Sequence, residues 1–291
     1  MYLSFDLLAN AIVAGILLGG FYAAVALGVT VAFGMLDIVN IAHPAVMMIG
    51  AFMAYLGLST FGLSPFLTMA LLAVAGLLAG PWLYRAYYAL FEKRGDESLQ
   101  GLAFFFGILF IVEISLVMTF GVDYRGLELP YLSKTYDIGF VSLPMRMLIP
   151  FGVSMLMCGA CYAYLFHTFT GRTILAVAQD VEAVRLIGTD PLRSKGVAFG
   201  IAMATGLVAG VLLIIIQPVE PSIGREFIGR SFAVCVLGGI TSITGTVTAA
   251  MILGVAETLT STLIGPSWSP AISFGLLLLT LAFRPAGIFG R

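Results

Sequence analysis

Long stretches of this chain carry no charge. Residues 7–36 form one such run, and residues 38–84 form a double-length one interrupted only by His43. Residues 98–122 contain a single acid, Glu113, and residues 147–171 a single imidazole, His167. Runs at 196–219, 231–256 and 258–283 complete the series. An α-helix needs roughly 20 apolar residues, at about 1.5 Å each, to cross a hydrocarbon layer of about 30 Å. The alternation of apolar and polar positions that a membrane barrel requires is absent. The pattern predicts an all-α integral membrane protein of about eight transmembrane or re-entrant helices, with residues 1–291 as a single transmembrane domain.

Composition agrees. The 291 residues are 60% hydrophobic and 10% charged, against about 25% charged in soluble domains. The net charge of −1 gives no sign of a nucleic-acid partner, so the surrounding partner is membrane lipid. The N-terminus lacks the basic region of a cleavable leader, since Asp6 is its one charge and the apolar run continues too far. Cys158 and Cys161 make a C-x-x-C, but inside an apolar helix they read as small packing residues.

Two places break the helical pattern. In residues 34–44, Asp37, Asn40, His43 and Pro44 crowd into an otherwise apolar stretch. The expectation is a helix ending near Phe33 and another starting at Pro44, with Asn40 and His43 bonding the exposed helix ends. Residues 238–245 hold Gly238, Gly239 and Gly245 with Thr241, Ser242 and Thr244. They predict a half-helix 227–239 entering from outside, a turn at 240–245, a returning helix 246–264 and a last helix at about 268–284. Broken helices are tolerated in lipid only where protein or a wet cavity satisfies the backbone, and in transporters they line substrate paths. With residues 172–195 inside, nine of the 14 basic residues fall inside, Arg85, Lys93, Arg94 and Arg291 among them. The loops 123–146 and 220–230 and the N-terminus are then outside.

Residues 171–195 differ from the rest. Ile174, Val177, Ala178, Val181 and Val184 repeat at helical spacing, with Gln179, Asp180, Glu182 and Arg185 on the other side. This predicts an amphipathic helix over about 173–187. Gly188 ends it, and Asp190-Pro191 starts the next helix. The polar face mixes signs, which suits a protein groove better than lipid headgroups.

Three blocks carry a family resemblance: LLGGFYAAVALGVTVAFGMLDIVNIAHPAVMMIGAF, GRTILAVAQDVEAVRLIGTDPLRSKGVAFGIAMATGLVAGVL and FIGRSFAVCVLGGITSITGTVTAAMILGVAETL. In this order they resemble the LivH-type permease subunits of branched-chain amino acid ABC importers. One departure is Pro44, where relatives usually have glycine after the histidine. The resemblance implies a bacterial inner-membrane importer. Its partners would be a second, LivM-like permease, two ATP-binding subunits and a periplasmic substrate-binding protein. ATP and magnesium would be used by the ATPases and no cofactor by this chain, which carries no Gly-Lys-Ser/Thr loop and no paired catalytic groups. It implies ATPase coupling through residues 171–195, at Asp180, Glu182, Arg185 and Asp190. Asn40, His43, Gly238, Gly239, Thr241 and Ser242 are expected on the translocation path, with the second break opposite the first. Glu220, Arg225 and Glu226 are expected to meet the binding protein. Glu113 is expected to be protonated or bonded to a neighbour, Glu257 to be structural and His167 to lie at the surface. Related systems carry urea, amides or aromatic acids, and a secondary transporter or channel is the competing class.

Overall fold

The structure is a computed structural model describing residues 5–92, 99–139, 141–284 and 286–290. Lys93, Arg94 and Arg291, three of the basic residues expected inside, lie outside these residues. The helices are α1 (Phe5–Leu36), α2 (His43–Phe61), α3 (Pro65–Leu90), α4 (Leu99–Phe120), α5 (Met145–His167), α6 (Phe169–Gln179), α7 (Val181–Leu186), α8 (Pro191–Ile216), α9 (Glu226–Gly238), α10 (Ile243–Leu263) and α11 (Ser269–Phe283). A small antiparallel hairpin, β1 (Thr135–Ile138) with β2 (Val141–Pro144), pairs Thr135 with Pro144. Among the described residues, eight helices are long and apolar enough to cross a membrane: α1 to α5, α8, α10, and α11 with its leading turn. The chain is therefore a multi-pass all-α membrane protein. At 13 residues α9 is too short to cross alone.

Local chemistry sets the helix ends. Asp37 takes a left-handed backbone (φ 58) and its N–H donates to the Phe33 carbonyl, which stops α1. Short polar residues tolerate that conformation better than most. Pro44 stands in the first turn of α2, where no donor is missed. Ser64 accepts from the Leu67 N–H ahead of Pro65 at the start of α3.

The bundle is built around α1 and α8, which carry its longest buried stretches. Along α1, Gly15 and Gly19 meet α10 so closely that a Cβ on Gly19 would stand 2.7 Å from Met251 Cα. Lipid tails give little hydrophobic drive for such association, so small residues that let backbones touch supply it through packing. The same seam ends in a 2.8 Å hydrogen bond between the hydroxyls of Thr30 and Thr246.

Two faces separate cleanly. On one, the Asn10 side chain accepts from the Ser142 N–H of the hairpin, and Arg125 pairs with Val219 by backbone hydrogen bonds. On the other lie α6, α7 and the start of α8, reached from the hairpin through the 23 residues of α5. Segments 123–146 and 171–195 thus occupy opposite faces, as the charge pattern requires.

Both breaks exist and both are narrower than expected, at residues 37–42 and 239–242. The second has a different depth from that expected. Its turn lies beside Gly34 at the end of α1, where a Cβ would strike the Ile240 carbonyl. Residues 286–290 cover it, with the Ile288 N–H donating to the Leu237 carbonyl at 2.8 Å. The turn is therefore at the far face rather than inside the bundle, because α10 follows α1 for its full length. The other end of this pair is the start of α9, where Phe227 meets Phe21 of α1 at 5.8 Å between ring centroids.

Candidate functional site

The segment 171–195 is a two-part knob. One continuous helix over 173–187 was expected, but Asp180 divides it into α6 and α7. The aspartate leaves the helix (φ −154) and its Oδ1 accepts from the N–H groups of Glu182 and Ala183 at 2.9 and 3.0 Å. It is a helix cap, satisfying donors that would otherwise be orphaned. The amphipathic reading otherwise holds: Ile174, Val177 and Val184 are buried, and Gln179, Asp180, Glu182 and Arg185 are exposed. Ala178 departs from it and is exposed. Glu182 and Arg185 form an exposed ion pair at 2.7 Å.

Gly188 (φ 80) ends α7, and Asp190 caps α8 by accepting from the Leu192 N–H at 2.9 Å. The knob is anchored at its base by Glu92, which accepts from Lys195 at 2.5 Å and from the Tyr84 hydroxyl at 2.7 Å. Its tip is apolar: Leu186 and Ile187 are 89% and 77% exposed. Sequence periodicity missed this pair, although their position just before Gly188 places them at the apex of the turn.

The first break sends the chain back into the bundle. His43 is buried, and its Nε2 lies 3.1 Å from the Val25 carbonyl. The ring packs against Gly28 of α1 and Gly206 of α8, where a Cβ would collide with it. His43 therefore does not cap an exposed helix end, as expected; it reaches the middle of a neighbouring helix. Asn40 does not cap either, and its buried Oδ1 has no hydrogen-bond partner among the described residues. Gly238 and Gly239 are buried, Ser242 caps α10 by accepting from the Gly245 N–H at 3.0 Å, and Thr241 is exposed. Both breaks meet the last turns of α1: the Asp37 and Ile38 N–H groups donate to the Phe33 and Ala32 carbonyls, and Ile240 of the second break packs on Gly34, while His43 at the end of the first break reaches deeper, to Val25.

A polar network lies near the hairpin face. Glu257, 3% exposed, accepts from Tyr22 at 2.5 Å, from Arg230 Nε at 3.2 Å and from Ser273. A carboxylate with three donors is a satisfied structural anchor, as expected for this residue. Arg230 Nη1 also approaches Glu226 at 3.4 Å. Cavities of about 300 Å³ and 400 Å³ adjoin the network. Glu113 is bonded to a neighbour: Arg225 Nε and Nη2 donate to its two oxygens at 2.7 and 2.6 Å. Arg225 is thus engaged within the chain, while Glu220 is part-exposed beside Ser222. His167 is exposed at the end of α5.

Residues 11–281 match the family described as "Branched-chain amino acid transport system / permease component". The chain is 30% identical over 293 residues to the high-affinity branched-chain amino acid transport system permease protein LivH of Escherichia coli (strain K12), covering 95% of this chain and 94% of that one. It is 28% identical over 292 residues to the corresponding BraD of Pseudomonas aeruginosa, covering 96% and 95%. It is 22% identical over 279 residues to a probable LivH of Methanocaldococcus jannaschii, covering 91% and 87%.

Proposed function

The chain belongs to the family of permease components of branched-chain amino acid transport systems, and from that premise we propose that it is the membrane subunit of an ATP-driven importer. Its cargo is a branched-chain or closely related amino acid, and its place is the bacterial inner membrane. The observation that carries the reading is the knob. A capped helix pair with an apolar apex and a mixed-sign polar face, anchored through Glu92 and Lys195, suits a groove on a soluble partner. The absence of a phosphate-binding loop in the sequence supports placing hydrolysis in two separate ATPase subunits.

In this reading the ATPases grip α6 and α7 through Leu186, Ile187 and the polar set Asp180, Glu182, Arg185 and Asp190. Closure of the ATPases moves the knob as a body. Thr168 ties α6 to α5 by donating to the Tyr164 carbonyl at 2.7 Å, and Asp190 ties the knob to α8, so both long helices tilt with it. A second permease subunit completes the path, for which Asn40, His43, Gly238, Gly239, Thr241 and Ser242 are proposed. The binding protein docks on the hairpin face, near Glu220, Arg225 and Glu226.

The test is reconstitution with two ATPase subunits, a second permease subunit and a binding protein of the same transport system. ATP-dependent uptake of labelled leucine that requires the binding protein is the expected result. Uptake of urea or an aromatic acid instead would move the cargo, and uptake driven by an ion gradient without ATPases would end the importer reading.

A further inference from the structure

The cavity of about 300 Å³ near the hairpin face has a mixed lining. Leu18, Phe21, Leu213, Ile216 and Phe227 contribute apolar surface to it. Gln217, Glu226, Arg230 and Ser261 contribute polar groups. The volume is at the low end for ligand sites and fits a small solute.

The charged groups divide into fixed and available. Glu257 is fully engaged and holds Arg230 by its Nε. The outer half of that guanidinium is not so held. Nη1 makes only the 3.4 Å contact with Glu226, and Nη2 makes no hydrogen bond to the described residues. The Arg230 side chain is 15% exposed and that of Glu226 is 63% exposed. Both residues also line the second cavity, of about 400 Å³, together with Arg225, Pro270 and Phe274. The loosest contact in the network is thus the partition between two cavities.

We propose that this paired cavity receives a small aliphatic amino-acid zwitterion, with Arg230 taking the carboxylate, Glu226 the ammonium and the apolar surface of Leu18, Phe21 and Ile216 the side chain. The inference deepens the importer reading and rests on it. Two guanidinium nitrogens offer a carboxylate a charge-assisted pair better than the 3.4 Å contact they give up. Charge sets an order among ligands. Glu226, Glu257 and Arg230 together carry one excess negative charge. A zwitterion leaves that balance unchanged and satisfies both ends, an amine alone offsets it, and a carboxylate alone doubles it. Charge alone favours the amine, but only the zwitterion pairs with both Arg230 and Glu226, so the zwitterion should bind best, the amine less well and the carboxylate worst.

Cys158, Cys161 and Cys235 are buried, so a thiol placed at the cavity by Ser261→Cys can be followed with a water-soluble thiol reagent applied to the assembled complex, with label read on this subunit after its separation. L-leucine should slow labelling, isopentylamine should slow it less, and 4-methylpentanoate should not slow it. Adding Glu226→Gln should raise the half-protecting leucine concentration roughly tenfold or more, the scale of one charged hydrogen bond. Gln217→Cys is a second reporter if the first variant does not assemble. Equal protection by all three compounds, no protection by leucine, or no shift with Glu226→Gln overturns the site. Wild-type uptake separates the failures: leucine uptake with no protection removes the site alone, and absence of amino-acid uptake removes the importer reading and the site with it.

Discussion

Arg225 grips both carboxylate oxygens of Glu113, 112 residues away in sequence, at 2.7 and 2.6 Å. The pair ties the turn before α9 to α4, and the guanidinium also lies 5.0 Å from the Phe110 ring centre. Two-point geometry fixes direction as well as distance. Glu113→Gln should therefore loosen the turn and lower stability by about 1–2 kcal/mol, the pair being half open on the Arg225 side. Thermal unfolding in detergent is the check. A double-mutant cycle with Arg225→Gln should show the two losses to be strongly non-additive, and additive losses would mean the pair does not hold the turn.

The Asp180 cap gives a sharper result. Asp180→Ala leaves the N–H groups of Glu182 and Ala183 without their acceptor, at about 0.5–2 kcal/mol. Helix α7 has only six residues and buries one side chain, Val184. Amide exchange over residues 181–186 should rise while α5 and α8 stay protected. Asp180→Asn, which caps equally well, should restore both protection and transport. Asparagine behaving like alanine would show that charge, not capping, is the role.

How much of this was legible in the sequence follows from the range of each interaction. Gly188, Asp190 and Pro191 act within a few residues, so their order alone placed the end of α7 and the start of α8. The same holds for Pro44 at the first break. Asp180 was ambiguous because an aspartate on the polar side of a helix and one capping a new helix have the same spacing. The partners of Glu113, Glu257 and His43 come from distant helices, and no local pattern encodes them. The depth of the second break was misread for a related reason. Glycine and hydroxyl residues announce a break, but only the packing of α10 along α1 sets where it falls.

That packing is testable on its own. A Cβ on Gly254 would meet the Gly15 carbonyl and the backbone of Gly19. Gly254→Leu should prise α10 from α1 and cost about 1–3 kcal/mol or more. Gly107, with nothing within 4 Å, is the control. Gly107→Ala should be neutral or slightly stabilising, since glycine in a helix gives away about 1 kcal/mol to alanine. Equal melting shifts for the two variants would contradict the seam.

The knob apex separates docking from folding. Leu186 touches little of its own chain, being 89% exposed, so Leu186→Asp should leave insertion and melting unchanged. A buried apolar anchor at an interface is commonly worth about 2 kcal/mol or more. Co-purification with the ATPases should then fall by at least about tenfold. Glu182→Arg adds a second arm. It breaks the 2.7 Å pair with Arg185 and places two cations together on an exposed surface, so it should uncouple uptake from hydrolysis without unfolding the membrane bundle. If both variants bind the ATPases as tightly as the wild type and transport at its rate, α7 is not the coupling element. The contact would then have to be sought elsewhere on the same face, beginning with Phe169, which is 80% exposed at the start of α6.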